Sequence, residues 1–475
     1  MRAVVSLVLG AAVVGSAGSS AVGAVSAKRG GDWTRFGYDA ARSSSGPRAT
    51  GITVANVGTL RLQRVRLDGT VDSSAIYLRG ASVRGRKHDV LFVTTSYGKT
   101  IALDAASGRV LWRFTPTGYA RWAGSAMITQ ATPVADPSGR YVYAVAPDGR
   151  IHKLSVSSGR EASGWPVVVT RDPGQEKIAP ALNFARGLVL VATGGYIGDA
   201  PPYQGHVVAI DGERGRIVNV WNSLCSDRHG LIQPSSCPAS GSAIWARSGV
   251  VVDPATGSLL VATGNGRFDG KRYWGDSVLM LSPRAARLLQ NWTPTDQKAL
   301  ESGDVDLGST APALLGSGLA GQGGKDGKLR VLDLRKLNGH GGSGPSTGGE
   351  LQTVSTASGL FSAPAVWREG GRTWLFVATF SATYGLRVDG RRLRLVWRRR
   401  SGGTSPVVAG GLLYVYDPGG GLDVRRPQSG ALVTRLQAGP GHWNSPIVTD
   451  GRIALPEGSA NDHSLSGVLD IYRLP

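Results

Sequence analysis

Gly98–Phe114, GKTIALDAASGRVLWRF, decides how this chain folds. It reads as a glycine turn, a strand ending in Leu103-Asp104, a second turn through Ser107-Gly108, and a strand carrying Trp112. Weaker copies follow at Gly149–Trp165, Gly205–Trp221, Asp276–Trp292, Gly327–Asn338, Tyr384–Trp397 and Gly421–Leu436. Gly467–Leu474 is half a copy. The spacing is irregular but about fifty residues, a propeller-blade period.

Upstream of most copies stands a small-Pro-apolar start: Thr132-Pro133-Val134, Ala179-Pro180-Ala181, Ala311-Pro312-Ala313, Ala363-Pro364-Ala365, Ser405-Pro406-Val407 and Ser445-Pro446-Ile447. Proline is tolerated at the first residue of a strand, which suits the innermost strand of a blade beginning unpaired beside a central channel. A second apolar run follows each start, as in Tyr141–Val145, Leu188–Ala192, Trp374–Ala378 and Leu412–Tyr416. Adding the Asp-Gly hairpin gives four strands per blade. The half copy at the C-terminus needs a partner, and Leu60–Leu67, LRLQRVRL, is a strand without a blade. The expectation is an all-β chain: one propeller of about eight four-stranded blades, closed by an N-terminal strand that completes the last blade.

Composition agrees. The 475 residues include 69 Gly, are 41% apolar, and show few helical periodicities. Arg2, the apolar run Ala3–Val14 and Val25-Ser26-Ala27 make residues 1–27 a signal peptide, so the mature protein is expected to be secreted or in the cell envelope. Residues 28–59 are an N-terminal segment and 60–475 the propeller, with no other stretch able to cross a bilayer. In an exported chain Cys225 and Cys237 read as one disulfide rather than a zinc site. The formal charge of +20 admits an anionic partner. Its densest cluster, Arg391–Arg400, alternates with Leu, Val and Trp like a strand with one wet face, so no nucleic-acid partner is expected. A monomer is expected.

Ser242–Asn265, SAIWARSGVVVDPATGSLLVATGN, is the stretch where a site and the repeat coincide. Val250–Val252 and Leu259–Ala262 read as strands around the turn Asp253-Pro254-Ala255-Thr256-Gly257. Trp245 before it and Asn265 after it either frame a flat ligand or are a core indole and a turn amide. Asp304 and Asp306 either ligate calcium or supply a base, or sit in a solvated loop. His442-Trp443-Asn444 before an innermost strand is either a ligand contact at a channel mouth or a structural turn, with Glu457 assigned to the same face. Gly316–Gly321 matches GxGxxG, but a strand rather than a helix follows, so no nucleotide loop is read.

The unit Leu103-Asp104…Ser107-Gly108…Trp112 resembles the tryptophan-docking blade of the quinoprotein alcohol dehydrogenase-like propellers. The opening Asp32–Asp39 with Arg42 is similar to the start of such chains. The resemblance implies an active-site region at Ser242–Asn265: Trp245 as the floor under pyrroloquinoline quinone (PQQ), Asn265 as a calcium ligand, Asp296 of Thr293-Pro294-Thr295-Asp296 as catalytic base, and Lys325 of Lys325-Asp326-Gly327 against the quinone. The glutamate such enzymes present to calcium is absent from Gly194–Asp199, where Asp199 is the substitute. The adjacent-cysteine disulfide and the Trp-Asp pair after the base are also missing. Two functions follow: a PQQ- and calcium-dependent dehydrogenase of a small-molecule alcohol or sugar, or a non-catalytic propeller that binds an envelope protein as an assembly scaffold.

Overall fold

The structure is a computed structural model that describes Met1 and residues 30–475. The expected signal peptide, apart from Met1, lies outside the described residues. Eight four-stranded sheets are present, each antiparallel throughout. They form blades one to eight, whose innermost strands begin at Ile76, Val134, Asn183, Val251, Ala313, Ala365, Val407 and Ile447. Five of these strands start directly after the proline noted above. The ring closes as expected: Arg61–Leu67 pairs with Gly467–Arg473, from Arg61 opposite Arg473 to Leu67 opposite Gly467. The N-terminal strand is therefore the outermost strand of blade eight, and neither end of the chain leaves an unpaired seam.

Local chemistry explains the repeat. At the end of the third strand of blade one, Asp104 Oδ1 accepts from Ser107 N (2.7 Å), Ser107 Oγ (2.7 Å) and Ala106 N (3.2 Å). That side chain builds the turn, and Gly108 takes the left-handed φ of 73° that closes it. The same glycine in the next blade receives the tryptophan. A Cβ on Gly159 would stand 2.6 Å from the Trp112 ring, and Trp112 Nε1 donates to Val156 O at 2.9 Å. Trp397 lies on Gly430 in the same way and donates to Pro427 O at 2.8 Å. The indole needs a bare backbone to lie flat on, which is why Asp-x-x-Ser-Gly and Trp recur together. Apolar cores fill the spaces between adjacent blades; Phe92 and Trp112 of blade one pack with Val142 and Leu154 of blade two. At the seam, Leu91 and Ile101 meet Leu469 and Ile471.

Residues 30–59 run across one face of the ring. Along the way, carbonyls of Thr34, Ala40, Ser43 and Ser44 accept from Ala135, Val252, Val366 and Val408, on the innermost strands of blades two, four, six and seven. Phe36 is buried against Ala181 and Ala363, which precede blades three and six. A residue that touches two non-neighbouring blades sits at the axis. Arg42 is buried behind it, donating to Phe36 O (2.7 Å), Leu182 O (2.8 Å) and Ala181 O (3.2 Å). Burial lowers its guanidinium pKa to about 9. This segment closes that end of the channel.

The Cys225–Cys237 disulfide is formed, in the loop from blade three to blade four. Gly316–Gly321 is the hairpin joining Ala313–Gly316 to Leu319–Gln322. Among the described residues no helix is long and apolar enough to cross a membrane.

Candidate functional site

The other end of the channel is lined by loops that enter each innermost strand and loops that join second to third strands. Ser242–Asn265 supplies one of each. Val251–Val252 and Leu259–Ala262 are the two inner strands of blade four, joined by a turn in which Asp253 caps Ala255 N at 3.1 Å and Thr256 Oγ1 at 2.7 Å. Trp245 therefore stands just before the blade and Asn265 just after its second strand, both at the mouth.

Five of the residues singled out from sequence share this corner. Lys325 Nζ stands 5.7 Å from the Trp245 ring centroid. It pairs with Asp306 Oδ2 at 2.5 Å and Asp304 Oδ1 at 3.4 Å. Asp306 Oδ1 accepts from Asn265 N at 2.7 Å, and Asp304 Oδ1 accepts from Asn265 Nδ2 at 2.7 Å. Burial alone lowers the pKa of Lys325, but the charges of and hydrogen bonds to Asp306 and Asp304 outweigh it and hold the ammonium above its usual range. The amide oxygen of Asn265 is buried and has no hydrogen-bond donor. Gly264 makes the approach possible, because a Cβ there would collide with Asp306 Oδ1. The backbone around Asp306 is fixed by Lys325 N donating to Asp306 O (3.0 Å) and by Gln322, whose buried amide donates to Leu307 O at 3.1 Å.

Asp199 and Asp296 are placed differently. Asp199 Oδ1 accepts from Tyr203 Oη at 2.9 Å. Its carboxyl is raised by burial and, against the Tyr203 bond, by the nearby charges of Asp306 and Asp304. It belongs to the same electrostatic neighbourhood as Lys325. Asp296 instead stands at the start of the short helix Gln297–Ser302, paired with Lys328 Nζ at 2.7 Å and Arg330 at 3.9 Å. Burial would raise its pKa, but the hydrogen bond and charge of Lys328 hold it below the usual carboxylate range. Among the described residues it makes no hydrogen bond or ion pair with Trp245, Asn265 or Lys325.

The opposite rim carries His442 and Trp443. Asp72, fully buried before blade one, accepts from His442 Nδ1 (2.8 Å), Gln130 Nε2 (2.8 Å), Trp443 N (2.8 Å) and Ala460 N (3.1 Å). Aromatic rings bridge the two sides: Trp245 to Phe361 at 6.5 Å, and Phe361 stacked on Trp443 at 6.0 Å. Glu457 accepts from Gly439 N, and the adjoining Gly458 bridges Gly441, next to His442. Sequence reasoning missed Asp72, Phe361, Lys177 and Arg247. None sits in the Asp-Gly repeat, and only their position in loops entering innermost strands could have marked them.

The family model described as the outer membrane protein assembly factor BamB matches residues 18–235. The quinohemoprotein alcohol dehydrogenase ADH IIB of Pseudomonas putida is 25% identical over 292 residues, 56% of this chain and 40% of that protein. The dehydrogenase subunit of the alcohol dehydrogenase (quinone) of Acetobacter aceti is 25% identical over 242 residues, 44% of this chain and 32% of its own. The matched regions span less than half the length of these relatives. Among solved structures, quinohemoprotein alcohol dehydrogenase ADHIIG of Pseudomonas putida HK5 superposes with a TM-score of 0.71 at 15% identity, covering 94% of this chain and 80% of that one. BamB of Moraxella catarrhalis gives 0.53 at 14% identity, covering 87% and 99%. The chain is an eight-bladed β-propeller, similar over its first half to the family model described as BamB and at about 25% identity to quinone-dependent alcohol dehydrogenases.

Proposed function

We propose that this chain is an exported quinoprotein that binds PQQ and calcium at the open end of the propeller and oxidises an alcohol or a sugar. The observation that carries the reading is the convergence of Trp245, Asn265, Asp306 and Lys325 in one corner, with the Asn265 amide oxygen buried and unpartnered. A hard cation takes oxygen ligands, and an amide oxygen without a donor is such a ligand; the carboxylates of Asp199 and Asp304 supply others nearby. The Trp245 indole, half-buried beneath a lysine and beside Phe361, is a flat apolar floor of the kind a planar ring system stacks on. Trp245 and Lys325 would take the quinone and Asn265 and Asp199 the calcium, and because no group of three or more His, Cys, Asp or Glu side chains is gathered for a metal among the described residues, the ion would need oxygens of the quinone as well.

A bound quinone supplies the hydride acceptor, and the protein supplies position and proton handling. Asp306 takes the role of base: its carboxylate is oriented by the Asn265 N–H and by Lys325, and it accepts the proton of the substrate hydroxyl. Lys325 remains protonated and holds that carboxylate in place. Phe361 and Trp443 wall the mouth and reduce access of bulk water. Asp296, engaged by Lys328, keeps a structural ion pair in this reading.

The similarity of residues 18–235 to an outer membrane assembly factor supports a second reading, a binding scaffold without catalysis. One experiment separates them. Purified protein is incubated with PQQ and calcium and assayed for dye-linked oxidation of primary alcohols and aldoses. The dehydrogenase reading requires quinone absorbance retained after gel filtration and dye reduction abolished by Asp306→Asn. Absence of both leaves the scaffold.

A further inference from the structure

The positive charge of the chain is gathered on a blade that the channel mouth does not use. Blade six, Ala365–Arg400, holds nine arginines against two carboxylates, Glu369 and Asp389, so it carries +7 of the chain's formal +20. Its outermost strand, Arg392–Arg399, is exposed along its length, with only Leu393 and Trp397 buried. Arg391, in the turn before it, pairs with Asp333 of blade five. Arg392, Arg394, Arg398, Arg399 and Arg400 pair with no carboxylate among the described residues, although Asp389 stands opposite Arg392 in the ladder. Elsewhere on the outer ring arginines are matched: Arg113 by Asp68 at 3.1 Å, Arg64 by Asp470 at 3.5 Å, and Arg435 by Asp417 at 2.7 Å and Asp423 at 2.8 Å. Arg61, Arg66 and Arg216 are unmatched, but no other outer strand holds more than two such residues, against four in blade six.

This arrangement works against folding. Arg387 stands directly opposite Arg394, and like charges facing one another across a ladder destabilise it. The strand is nevertheless held firmly by both neighbouring blades. Gln352 of blade five exchanges two hydrogen bonds with the Leu393 backbone, at 2.7 and 3.0 Å. Trp397 Nε1 donates to Pro427 O at 2.8 Å and Arg399 Nη2 to Ser429 O at 2.6 Å, both in blade seven. Between these anchors Leu395 and Val396 are 48% and 44% exposed. Val396 is the extra residue of a bulge, left out of the pairing between Leu395 and Leu386 on one side and Trp397 and Gly385 on the other. Two aliphatic side chains therefore stand in the middle of a row of guanidinium groups. The outer strands on either side, Gln352–Ser355 and Leu432–Leu436, contain no acidic residue, and Leu432 is itself exposed.

We propose that the outer edge of blade six is a docking surface for an anionic phospholipid bilayer. Guanidinium forks match lipid phosphates, and Leu395 and Val396 enter the boundary between headgroups and acyl chains. Charge alone would suit any polyanion, but a soluble one leaves the aliphatic pair in water. A nucleic acid finds no exposed ring to stack on, because Trp397 is buried and Tyr384 is buried with Arg398 over its ring at 5.6 Å. The edge lies on the circumference of the ring, so docking there leaves the mouth clear. The inference does not depend on what the mouth binds.

The test uses the full chain and vesicles of phosphatidylcholine, alone or mixed with an equal part of phosphatidylglycerol, read by sedimentation. Binding is expected only with phosphatidylglycerol and should be lost as salt rises to about 0.5 M. Arg392→Gln, Arg394→Gln and Arg398→Gln together should weaken it about hundredfold, roughly fivefold per charge. Arg61→Gln, Arg66→Gln and Arg216→Gln remove the same charge elsewhere on the outer ring and should change binding by less than about threefold. Leu395→Ser with Val396→Ser should weaken it about tenfold and leave its salt dependence unchanged. Circular dichroism and urea denaturation report folding; the blade-six triple variant should be no less stable, because it removes the repulsion between Arg387 and Arg394. Phenylglyoxal modification of the unaltered chain, mapped by mass spectrometry, needs no variant: phosphatidylglycerol vesicles should protect Arg394 and Arg398 and leave Arg216 reactive. Equal binding to both kinds of vesicle, equal losses in the two triple variants, or no protection of Arg394 would overturn the surface. Polyphosphate bound as tightly as the vesicles, with the serine substitutions affecting neither, would assign the edge to a soluble polyanion and overturn the membrane proposal as well.

Discussion

The two ends of the channel bury the same chemistry and use it differently. At the closed end, Arg42 directs its guanidinium at three carbonyls, two of them at the entry to blade three, under a plug made by Phe36. At the open end, Arg247 finds two carbonyls and Lys177 finds no acceptor among the described residues; the Nε of Arg42 and that of Arg247 are both buried without a partner. A buried guanidinium gripping three carbonyls is a fastening. A buried ammonium with no acceptor, one strand away from a partly exposed indole, is not fastened in that way. The difference comes from residues 30–59, which cover one end and leave the other open.

This contrast can be broken in several ways. The largest effect is expected at the open end: Asp306→Asn should lower the turnover of quinone-loaded protein by about 10²–10⁴-fold, the usual contribution of a positioned base, with little change in unfolding midpoint. Steady-state dye reduction and urea denaturation read the two quantities. Arg42→Leu should do the reverse. It strands three carbonyls and should cost about 3 kcal/mol of stability by urea denaturation, while calorimetric affinity at the mouth stays the same.

A smaller and pH-dependent effect is expected from His206 and Glu176, the pair that anchors the short strand Glu176–Lys177. Burial pushes the His206 pKa down, but the charge and hydrogen bond of Glu176, with the bond from Asn222, raise it above its ordinary 6.5. A raised folded-state pKa stabilises the protein fully below 6.5 and loses that contribution as pH climbs through the folded value. Urea midpoints should therefore fall on the alkaline side of 6.5, and His206→Gln should flatten that fall. A profile that is already flat would show the strand to be held by packing alone. The smallest effect sharpens the choice of base: Asp296→Asn, which removes a half-exposed ion pair with Lys328, should alter stability by less than about 1 kcal/mol and turnover by less than about twofold. A large loss there would move the base from Asp306 to Asp296.

Much of this molecule is written locally. Asp104, Ser107 and Gly108 build a turn from their own side chains and backbone, so Asp-x-x-Ser-Gly names its structure wherever it recurs. Trp112 and the glycine of the next copy name the packing between blades. The ring closure was readable too, because half a repeat at one end and a lone strand at the other can satisfy their edges only by pairing. Trp245, Asn265, Asp296 and Lys325 were singled out by the resemblance to quinoprotein propellers, and three of them, Trp245, Asn265 and Lys325, lie in one corner.

The rest depended on the ring. Asp296 and Asp306 lie ten residues apart in one connection, and sequence order does not say which meets Asn265 and Lys325; Lys328 and Arg330 engage one, while Gly264 leaves room for the other. Lys177, Arg247, Asp72 and His442 come from loops separated by up to 370 residues, and each is unremarkable until eight blades bring the loop ends to one axis. The plug is similar: Phe36 and Arg42 are ordinary residues of an irregular segment whose partners lie on blades across the channel. Sequence alone determined the blades, since each is built from near neighbours in the chain. Which residues face one another at the two ends was decided only by closing the circle, because those contacts join residues with no local reason to meet.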